Sequence, residues 1–320
     1  MFSQPSNSQS TIVFLMSSSS VDSELIVTTF APLINFFTQM PGMRDILKWS
    51  VGIAAPRRIP PLATQNFTQW FRQRSASTTQ QPTVILWADT FNNFFRPTTA
   101  QAACQVLEAC GYHVKIPSVH LCCGRPLYDN GRLDLAKQLL QQILKTLRSE
   151  ILAGTAVVGL EPSCMSVFRE ELLNFFPTDE IAQQLSAQTF LLSDFLINHH
   201  SIENLPFTVL ERQAIVHGHC HHKAIFDLAA EQRLLTQIGL NCTYPEASCC
   251  GMAGVFGFDK QHYPLSIKLG EMALLPAVRT ASKDTLIIAD GFSCREQIEQ
   301  TTGKNVFHSA EVLQRALRQS

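Results

Sequence analysis

The stretch AVVGLEPSC, residues 156–164, decides the fold class of this 320-residue chain. Its opening apolar residues are typical of a buried strand in a parallel sheet, and the Pro-Ser-Cys that follows is typical of a helix start. Nearly the same pattern returns as LIIADGFSC, residues 286–294. The two cysteines lie 130 residues apart, since 294 − 164 is 130. A repeated strand-loop-helix unit indicates an internal duplication of an α/β domain.

The rest of the chain alternates between strands and helices in the same way. The predicted strands are 84–88, 112–116, 156–160, 214–216, 241–244 and 285–289, and the predicted helices are 98–110, 133–150, 224–238, 264–280 and 311–317. This order predicts an α/β fold of two tandem duplicated βα domains with mostly parallel sheets and right-handed crossovers. A helical or disordered N-terminal segment precedes them.

Four regions follow from this pattern and from local composition. The first residues are rich in Ser, Gln and Asn, which is typical of disorder, and a Pro- and Arg-containing linker follows a pair of helical fragments. The predicted regions are 1–21 (disordered), 22–82 (helical segment and linker), 83–205 (first cysteine-rich domain) and 206–320 (second cysteine-rich domain).

Composition excludes several classes of protein. A net charge of −1 gives no overall field that would attract nucleic acid. The ten cysteines follow a start without basic residues, which favours a cytoplasmic protein with metal or redox chemistry over a secreted, disulfide-linked one. The apolar stretch 25–37 is too short to span a bilayer, so we expect membrane association to be at most peripheral, through Phe30, Leu33, Ile34 and Phe36. The sequence leaves a homo-oligomer open.

Paired cysteines followed by glycine occur twice, at residues 122–124 and 249–251. Each pair precedes a lone cysteine, Cys164 or Cys294, and the second half adds Cys220 after its first strand. Sites in open α/β sheets form beyond the carboxyl ends of the strands, so we expect these loops to converge. Thiolates bind iron–sulfur clusters and structural zinc, and four complete either site. The second half therefore predicts a cofactor site on Cys220, Cys249, Cys250 and Cys294.

The first half carries only three of the corresponding thiols, and we predict a second metal site on Cys122, Cys123 and Cys164. The position that matches Cys220 falls near residues 89–91, where no cysteine occurs. A fourth ligand from Asp89, His120 or Glu161, or complete loss of the metal, remains open.

Alternative interpretations apply to some of these residues. Buried cysteines are common in protein cores, and we interpret Cys104, Cys110 and Cys242 in that way. A vicinal disulfide is an alternative for the two cysteine pairs. The histidines that surround Cys220 are candidates either for metal ligation or for packing around the site, and they are His217, His219, His221 and His222.

Six motifs in this order, spread over about residues 40 to 318, resemble a known family. They are DTFNN (89–93), CCGRPLY (122–128), EPSC (161–164), HGHCH (217–221), CCGMAG (249–254) and ADGFSCR (289–295). The region is similar to the C-terminal cysteine-rich, or CCG-domain, iron–sulfur region of FAD-linked oxidases of the D-lactate and D-2-hydroxyglutarate dehydrogenase-like family. It resembles more distantly the cysteine-rich subunits of heterodisulfide reductase and of anaerobic glycerol-3-phosphate dehydrogenase, and the glycolate oxidase iron–sulfur subunit.

This resemblance implies an iron–sulfur electron-transfer module of an oxidoreductase that oxidises D-2-hydroxy acids. The implied cofactor is a 4Fe–4S type cluster. The chain lacks the FAD-binding domain of that family, so we expect the FAD to lie on a missing domain or on a flavoprotein partner, and we expect no catalysis by this chain alone. The alternative is a non-catalytic docking or assembly domain in which zinc holds the same thiolates.

Overall fold

The computed structural model describes residues 21–74, 81–246 and 249–318. The predicted disorder of residues 1–21 lies outside these ranges, except for Val21, which begins the first helix. The N-terminal segment forms three helices before the first sheet. They are α1 (Val21–Gln39), α2 (Met43–Val51) and α3 (Phe67–Arg72).

The first half of the fold is built on a four-stranded sheet with the order β2-β1-β3-β4, and every neighbouring pair is parallel. Its strands are β1 (Thr83–Leu86), β2 (His113–Lys115), β3 (Ala156–Gly159) and β4 (Thr189–Leu191). Its helices are α4 (Thr90–Phe94), α5 (Pro97–Ala109), α6 (Arg125–Asp129), α7 (Leu133–Thr146), α8 (Arg148–Leu152), α9 (Pro162–Arg169), α10 (Glu171–Phe175), α11 (Glu180–Ala187) and α12 (Leu192–His199).

The second half repeats this topology on a three-stranded parallel sheet with the order β6-β5-β7. Phe307 forms a parallel bridge to Ile288 and takes the place that β4 has in the first sheet. The strands are β5 (Arg212–His217), β6 (Leu240–Thr243) and β7 (Leu286–Ala289). The helices are α13 (Cys220–Ile225), α14 (Leu228–Gln237), α15 (Tyr263–Glu271), α16 (Leu274–Thr280), α17 (Phe292–Thr302) and α18 (Ser309–Arg315). The α/β fold predicted from the sequence, with parallel sheets in both halves, is confirmed.

Some predicted elements differ in extent. The helix predicted over 133–150 is divided into α7 and α8 at Leu147, whose backbone angles of φ −95° and ψ 11° are not helical. The helix predicted over 264–280 is likewise divided at Ala273, with φ −153° and ψ −44°. The short elements α4, α13 and β4 were not predicted, because segments of three to six residues carry too little periodicity.

One hydrophobic core crosses from the first half into the second. It contains Leu107 of α5 and Leu196 of α12 together with Leu235 of α14 and Leu313 of α18. Helix α5 packs against α18, and α12 packs against α14, so the duplication creates two related contacts between the halves. Each half also has a core of its own beneath the outer face of its sheet. The domain boundary at 205/206 stays a prediction, since a core is shared across it.

The N-terminal segment leaves much of its apolar surface open to solvent. Phe30 and Leu33 on α1 are 50% and 52% exposed, and Trp49 on α2 is 78% exposed. Across residues 21–74, 81–246 and 249–318, no helix combines the length and the apolar character needed to cross a membrane.

Candidate metal centre

Four cysteines of the second half meet at the carboxyl edge of its sheet. Cys220 is the first residue of α13, directly after β5, and Cys294 lies in the first turn of α17, directly after β7. Cys249 and Cys250 follow β6. The thiol of Cys249 is hydrogen-bonded to those of Cys220 and Cys250, and the thiol of Cys250 is hydrogen-bonded to that of Cys294. The structure therefore brings together all four thiols of the site expected in this half, and all four are free.

The hydrogen bonds among the four thiols shift their pKa values in opposite directions. Hydrogen bonds from Cys220 and Cys250 lower the pKa of Cys249 to about 2. The hydrogen bond from Cys250 likewise holds the pKa of Cys294 well below its usual value. The pKa values of Cys220 and Cys250 are raised, first by their hydrogen bonds to Cys249 and then by burial. The lowered pKa values favour the thiolate form of Cys249 and Cys294, which is the form of cysteine that binds metal.

Backbone amides of the Cys249–Cys250 loop point at its sulfurs. The Gly251 N–H donates to the sulfur of Cys249 at 3.3 Å, and the Met252 N–H donates to that of Cys250 at 3.5 Å. Gly251 has a left-handed φ of +89°, and a Cβ at this position would overlap the carbonyl oxygen of Ser266. Only glycine fits this turn, which aims two donors at the sulfurs of Cys249 and Cys250.

His217, the last residue of β5, is a neighbour of the site that sequence reasoning did not separate from the other histidines. It is 3% exposed, and its ring nitrogen and the sulfurs of Cys250 and Cys294 all lie within 4.8 Å of one another. Within the described ranges, neither ring nitrogen has a nitrogen or oxygen partner. The His217 side chain is also among the causes of the low pKa of Cys294, after the hydrogen bond from Cys250. A buried imidazole with no other partner fits a role at this centre.

The other histidines have separate positions. The ring of His219 caps α13 by accepting the His221 N–H at 3.2 Å. The Nδ1 atoms of His219 and His221 each lie 3.9 Å from the sulfur of Cys220. Burial lowers the pKa of His221 to about 4, so its ring is neutral near neutral pH. Both rings therefore lie beside the sulfur of Cys220.

The first half brings its three cysteines together in the same arrangement. The sulfurs of Cys123 and Cys164 lie 2.8 Å apart, and the Cys122 thiol is hydrogen-bonded to that of Cys123. The hydroxyl of Thr90 contacts Cys122 in the way that Cys220 contacts Cys249. Thr90 begins α4 as Cys220 begins α13, and the two residues are 130 apart, since 220 − 90 is 130. A hydroxyl therefore occupies the place of the fourth thiol.

Two of the suggested fourth ligands are buried acids with hydrogen bonds of their own. Asp89 caps α4 by accepting the N–H groups of Phe91 and Asn92, each at 3.0 Å. Glu161 accepts the Ser163 hydroxyl at 2.7 Å and, across the two halves, the Phe292 N–H at 2.8 Å. The third candidate, His120, packs edge-on against Phe94. Both carboxylates thus have structural roles in the described contacts.

The acids make the first site electrostatically different from the second. The hydrogen bond to Cys123 and burial raise the pKa of Cys122 well above its usual value. The hydrogen bond from Cys123 lowers the pKa of Cys164, but burial and the charges of Asp89 and Glu161 raise it to about 11. Burial, reinforced by Glu161, also raises the pKa of Asp89 to about 6. The pKa shifts of Cys122 and Cys164 therefore favour protonated thiols at the first site, whereas those of Cys249 and Cys294 favour thiolates at the second.

The chain matches one protein family and is similar to several known proteins. The family described as "CCG: Cysteine-rich domain" matches residues 89–169 and 216–299, which include all seven cysteines of the two sites. The chain is 28% identical over 297 residues to a subunit of anaerobic glycerol-3-phosphate dehydrogenase of Escherichia coli (strain K12), covering 91% of this chain and 74% of that one. It is 29% identical over 248 residues to lactate utilization protein A of Bacillus licheniformis, covering 72% and 98%. The corresponding protein of Bacillus subtilis (strain 168) is 27% identical over 249 residues, covering 72% and 98%.

Proposed function

The chain belongs to the cysteine-rich (CCG) domain family, and from this premise we propose that it is the iron–sulfur electron-transfer subunit of a flavin-dependent dehydrogenase. The observation that carries the proposal is the meeting of four thiols at the carboxyl edge of the second sheet. The relation to a protein named as one subunit of a dehydrogenase supports the role of a subunit.

The residues around the four thiols fit an iron–sulfur cluster. Cys220, Cys249, Cys250 and Cys294 would hold it, and a bound cluster would accept and release single electrons. The Gly251 and Met252 amides donate hydrogen bonds to two of these sulfurs, which stabilises their negative charge. His217 lies close enough to two of the sulfurs to donate a further hydrogen bond or to act as a ligand. Burial of the Cys250 and Cys294 side chains, each 3% exposed, keeps water away from the deep side of the site.

The substrate and the flavin belong, in this proposal, to a partner. A flavoprotein subunit would oxidise a D-2-hydroxy acid and pass the electrons to this chain. Lactate, which the name of the Bacillus relatives contains, is a 2-hydroxy acid, and this supports the substrate class. Glycerol 3-phosphate, in the name of the other relative, belongs to a different class, so co-purification with a flavoprotein and assay of both substrates would decide between them.

The cofactor is tested by analysing the full chain after purification without oxygen. We expect iron and acid-labile sulfide in stoichiometric amounts, and we expect Cys294→Ser to lose the share of both that the second site holds. Cys242→Ser is the matched control, because Cys242 lies in strand β6 away from the four thiols and should leave the iron content unchanged. Stoichiometric zinc in a colourless protein would favour the docking domain, and a folded protein without metal would contradict both.

The first-half centre is proposed on Cys122, Cys123 and Cys164. With the second site disabled by Cys294→Ser, the remaining iron reports on the first site alone. Thr90→Cys restores the fourth thiol at the position that the duplication assigns to it. We expect this variant to bind more iron than the same background with Thr90. Absence of iron from both proteins would argue against a metal centre in the first half.

A further inference from the structure

The duplication relates positions on one side of the interface between the halves to positions on the other side. Helices α4 and α13 begin at positions 130 apart, and so do the loops that lead into α9 and α17, since 291 − 161 is 130. Helices α12 and α18 begin at Leu192 and Ser309, which are 117 apart. Residues related by these shifts occupy equivalent places on opposite sides of the interface between the halves. The two sides can therefore be compared residue by residue.

One side of the interface is closed by polar contacts. Arg96 forms ion pairs with Glu296, at 2.8 Å, and with Glu299. The Thr99 hydroxyl donates to Glu311 at 2.8 Å and accepts from Arg295 at 3.0 Å. Each of these side chains has a partner from the other half, and of their buried nitrogens and oxygens only the Nε atom of Arg295 lacks a partner among the described residues.

The equivalent residues on the other side of the interface cannot form the same ion pairs and hydrogen bonds with one another. Phe226 lies at the position equivalent to Arg96, and Ala229 at that equivalent to Thr99. Arg169 replaces the acid Glu299, and Asp194 corresponds to Glu311. The equivalent pairs are Arg96 and Phe226, Thr99 and Ala229, Glu299 and Arg169, and Glu311 and Asp194. Instead of a closed contact, this side has a cleft of about 290 Å³ between the halves.

The substitutions leave two buried polar atoms of the cleft without a hydrogen-bond partner among the described residues. One is Oδ2 of Asp194, a residue that is 8% exposed, and the other is Nε of Arg169. Ala229 offers Asp194 no hydroxyl, and Phe226 only stacks on the Arg169 guanidinium, at 5.5 Å from its ring centre. Both residues line the cleft. The charges of Asp194 and Arg169 interact with each other, but neither Asp194 Oδ2 nor Arg169 Nε has a hydrogen bond among the described residues. Unpartnered buried polar atoms are costly, so these two atoms at one cleft point to a ligand.

The lining defines the chemistry of that ligand. Guanidinium groups bind carboxylates through paired hydrogen bonds, and the cleft contains both Arg169 and the exposed Arg233. The Asp194 carboxyl accepts a backbone hydrogen bond from Leu191, and its Oδ2 atom is open to a further donor. Ile197, Ile225 and the Phe226 ring supply an apolar wall. Asp227, which also lines the cleft, already caps α14 through the Ala229 N–H at 2.8 Å.

We propose that this cleft binds a small carboxylic acid that also carries a hydroxyl or ammonium donor, with the carboxylate on the arginines and the donor on Asp194. This is a second ligand site, separate from the cysteine centres and independent of whether they hold metal. It lies between the halves, so a bound ligand contacts residues of both.

Titration of the full chain with three acids of similar size tests the site. Glycerate carries hydroxyl donors, alanine carries an ammonium donor, and propionate carries neither. Calorimetry should show saturable binding of glycerate or alanine, and propionate should bind at least about tenfold more weakly, as expected for loss of a hydrogen bond to a charged group. Which of the first two binds identifies the donor. Equal binding of all three acids, or no saturable binding, would overturn the proposal.

Variants place the binding in this cleft. Asp194→Asn should weaken binding at least about tenfold. Ala229→Thr should do the same in a folded protein, because it recreates beside Asp194 the hydroxyl that Thr99 presents to Glu311. Thr99→Ala is the matched control on the closed side and should leave binding unchanged. Thermal unfolding confirms that each variant is folded, and unchanged affinity in Asp194→Asn or Ala229→Thr would refute the assignment.

Discussion

Two glycines five residues or fewer from the Cys249–Cys250 pair share a left-handed backbone but differ in their surroundings. Gly251 has φ +89° and Gly254 has φ +62°. A Cβ on Gly251 would overlap the Ser266 carbonyl oxygen, whereas a Cβ on Gly254 would meet no atom within 4 Å. Substitutions at these two glycines therefore separate two costs in stability at the loop that bears the thiols, that of backbone strain and that of a steric clash.

We predict that Gly251→Ala destabilises the protein far more than Gly254→Ala. Both variants place alanine in a left-handed conformation, which costs about 1–2 kcal/mol. Gly251→Ala must also displace the Ser266 carbonyl, which adds about 1–3 kcal/mol. Urea unfolding of the metal-free, reduced chain measures both values. A cost for Gly251→Ala no larger than that for Gly254→Ala would show that the loop relaxes without resistance.

At the scale of single residues, the sequence identified the cysteines because their spacing repeats. All four of the second half meet, as expected from three loops at one edge of a sheet. The position that matches Cys220 was located at residues 89–91, but Asp89 and not Thr90 was named there as a candidate ligand, because a threonine carries no chemical signal of its own. His217 stands out from its neighbours only through burial and an unpartnered ring, and both depend on tertiary packing.

At the scale of secondary-structure elements, hydrogen bonds of one linker residue, Arg57, connect the N-terminal segment to the second half. Arg57 is 2% exposed, and its guanidinium donates to Gly257 O at 2.7 Å and to Gln297 Oε1 at 2.6 Å. Gln297 on α17 in turn donates to the Cys250 carbonyl at 2.9 Å. A residue far from the thiols in sequence thereby supports the loop that carries them.

We predict that Arg57→Met lowers the free energy of unfolding by about 2–4 kcal/mol, because it leaves the Gly257 and Gln297 oxygens buried without a donor. It should also lower the metal content of the second site, since Gln297 loses a contact that orients it. Arg58→Met is the control. The neighbouring Arg58 is exposed, so its loss should change stability by no more than about 0.5 kcal/mol. Equal effects of the two variants would show that the Arg57 hydrogen bonds do not stabilise the contact between the N-terminal segment and the second half.

The elements themselves were predictable where periodicity is strong. The buried strands and the long helices follow from apolar runs and amphipathic spacing, and their boundaries shift by only a few residues. The breaks at Leu147 and Ala273 were not predictable, because neither residue is a helix breaker by type. Their backbone angles are set by packing against the rest of the fold.

At the scale of the whole molecule, the shared core decides how the protein unfolds. Leu107 and Leu235 belong to the same cluster although one lies in each half. All three tryptophans, Trp49, Trp70 and Trp87, precede residue 88, so their fluorescence reports on the N-terminal segment and the first half only. This distribution allows the coupling between the halves to be measured with no added label.

We predict that the two halves unfold as one cooperative unit. Leu235→Ala, a substitution at a fully buried position of the second half, should lower the stability reported by tryptophan fluorescence by about 2–5 kcal/mol, as for other large-to-small changes in a core. Circular dichroism, which senses both halves, should give the same midpoint. Leu265→Ala is the control, because Leu265 is 49% exposed on α15 and its loss should change little. If Leu235→Ala moved the circular dichroism transition but left the fluorescence transition in place, the first half would be stable without the second, and the core that joins them would contribute little to folding.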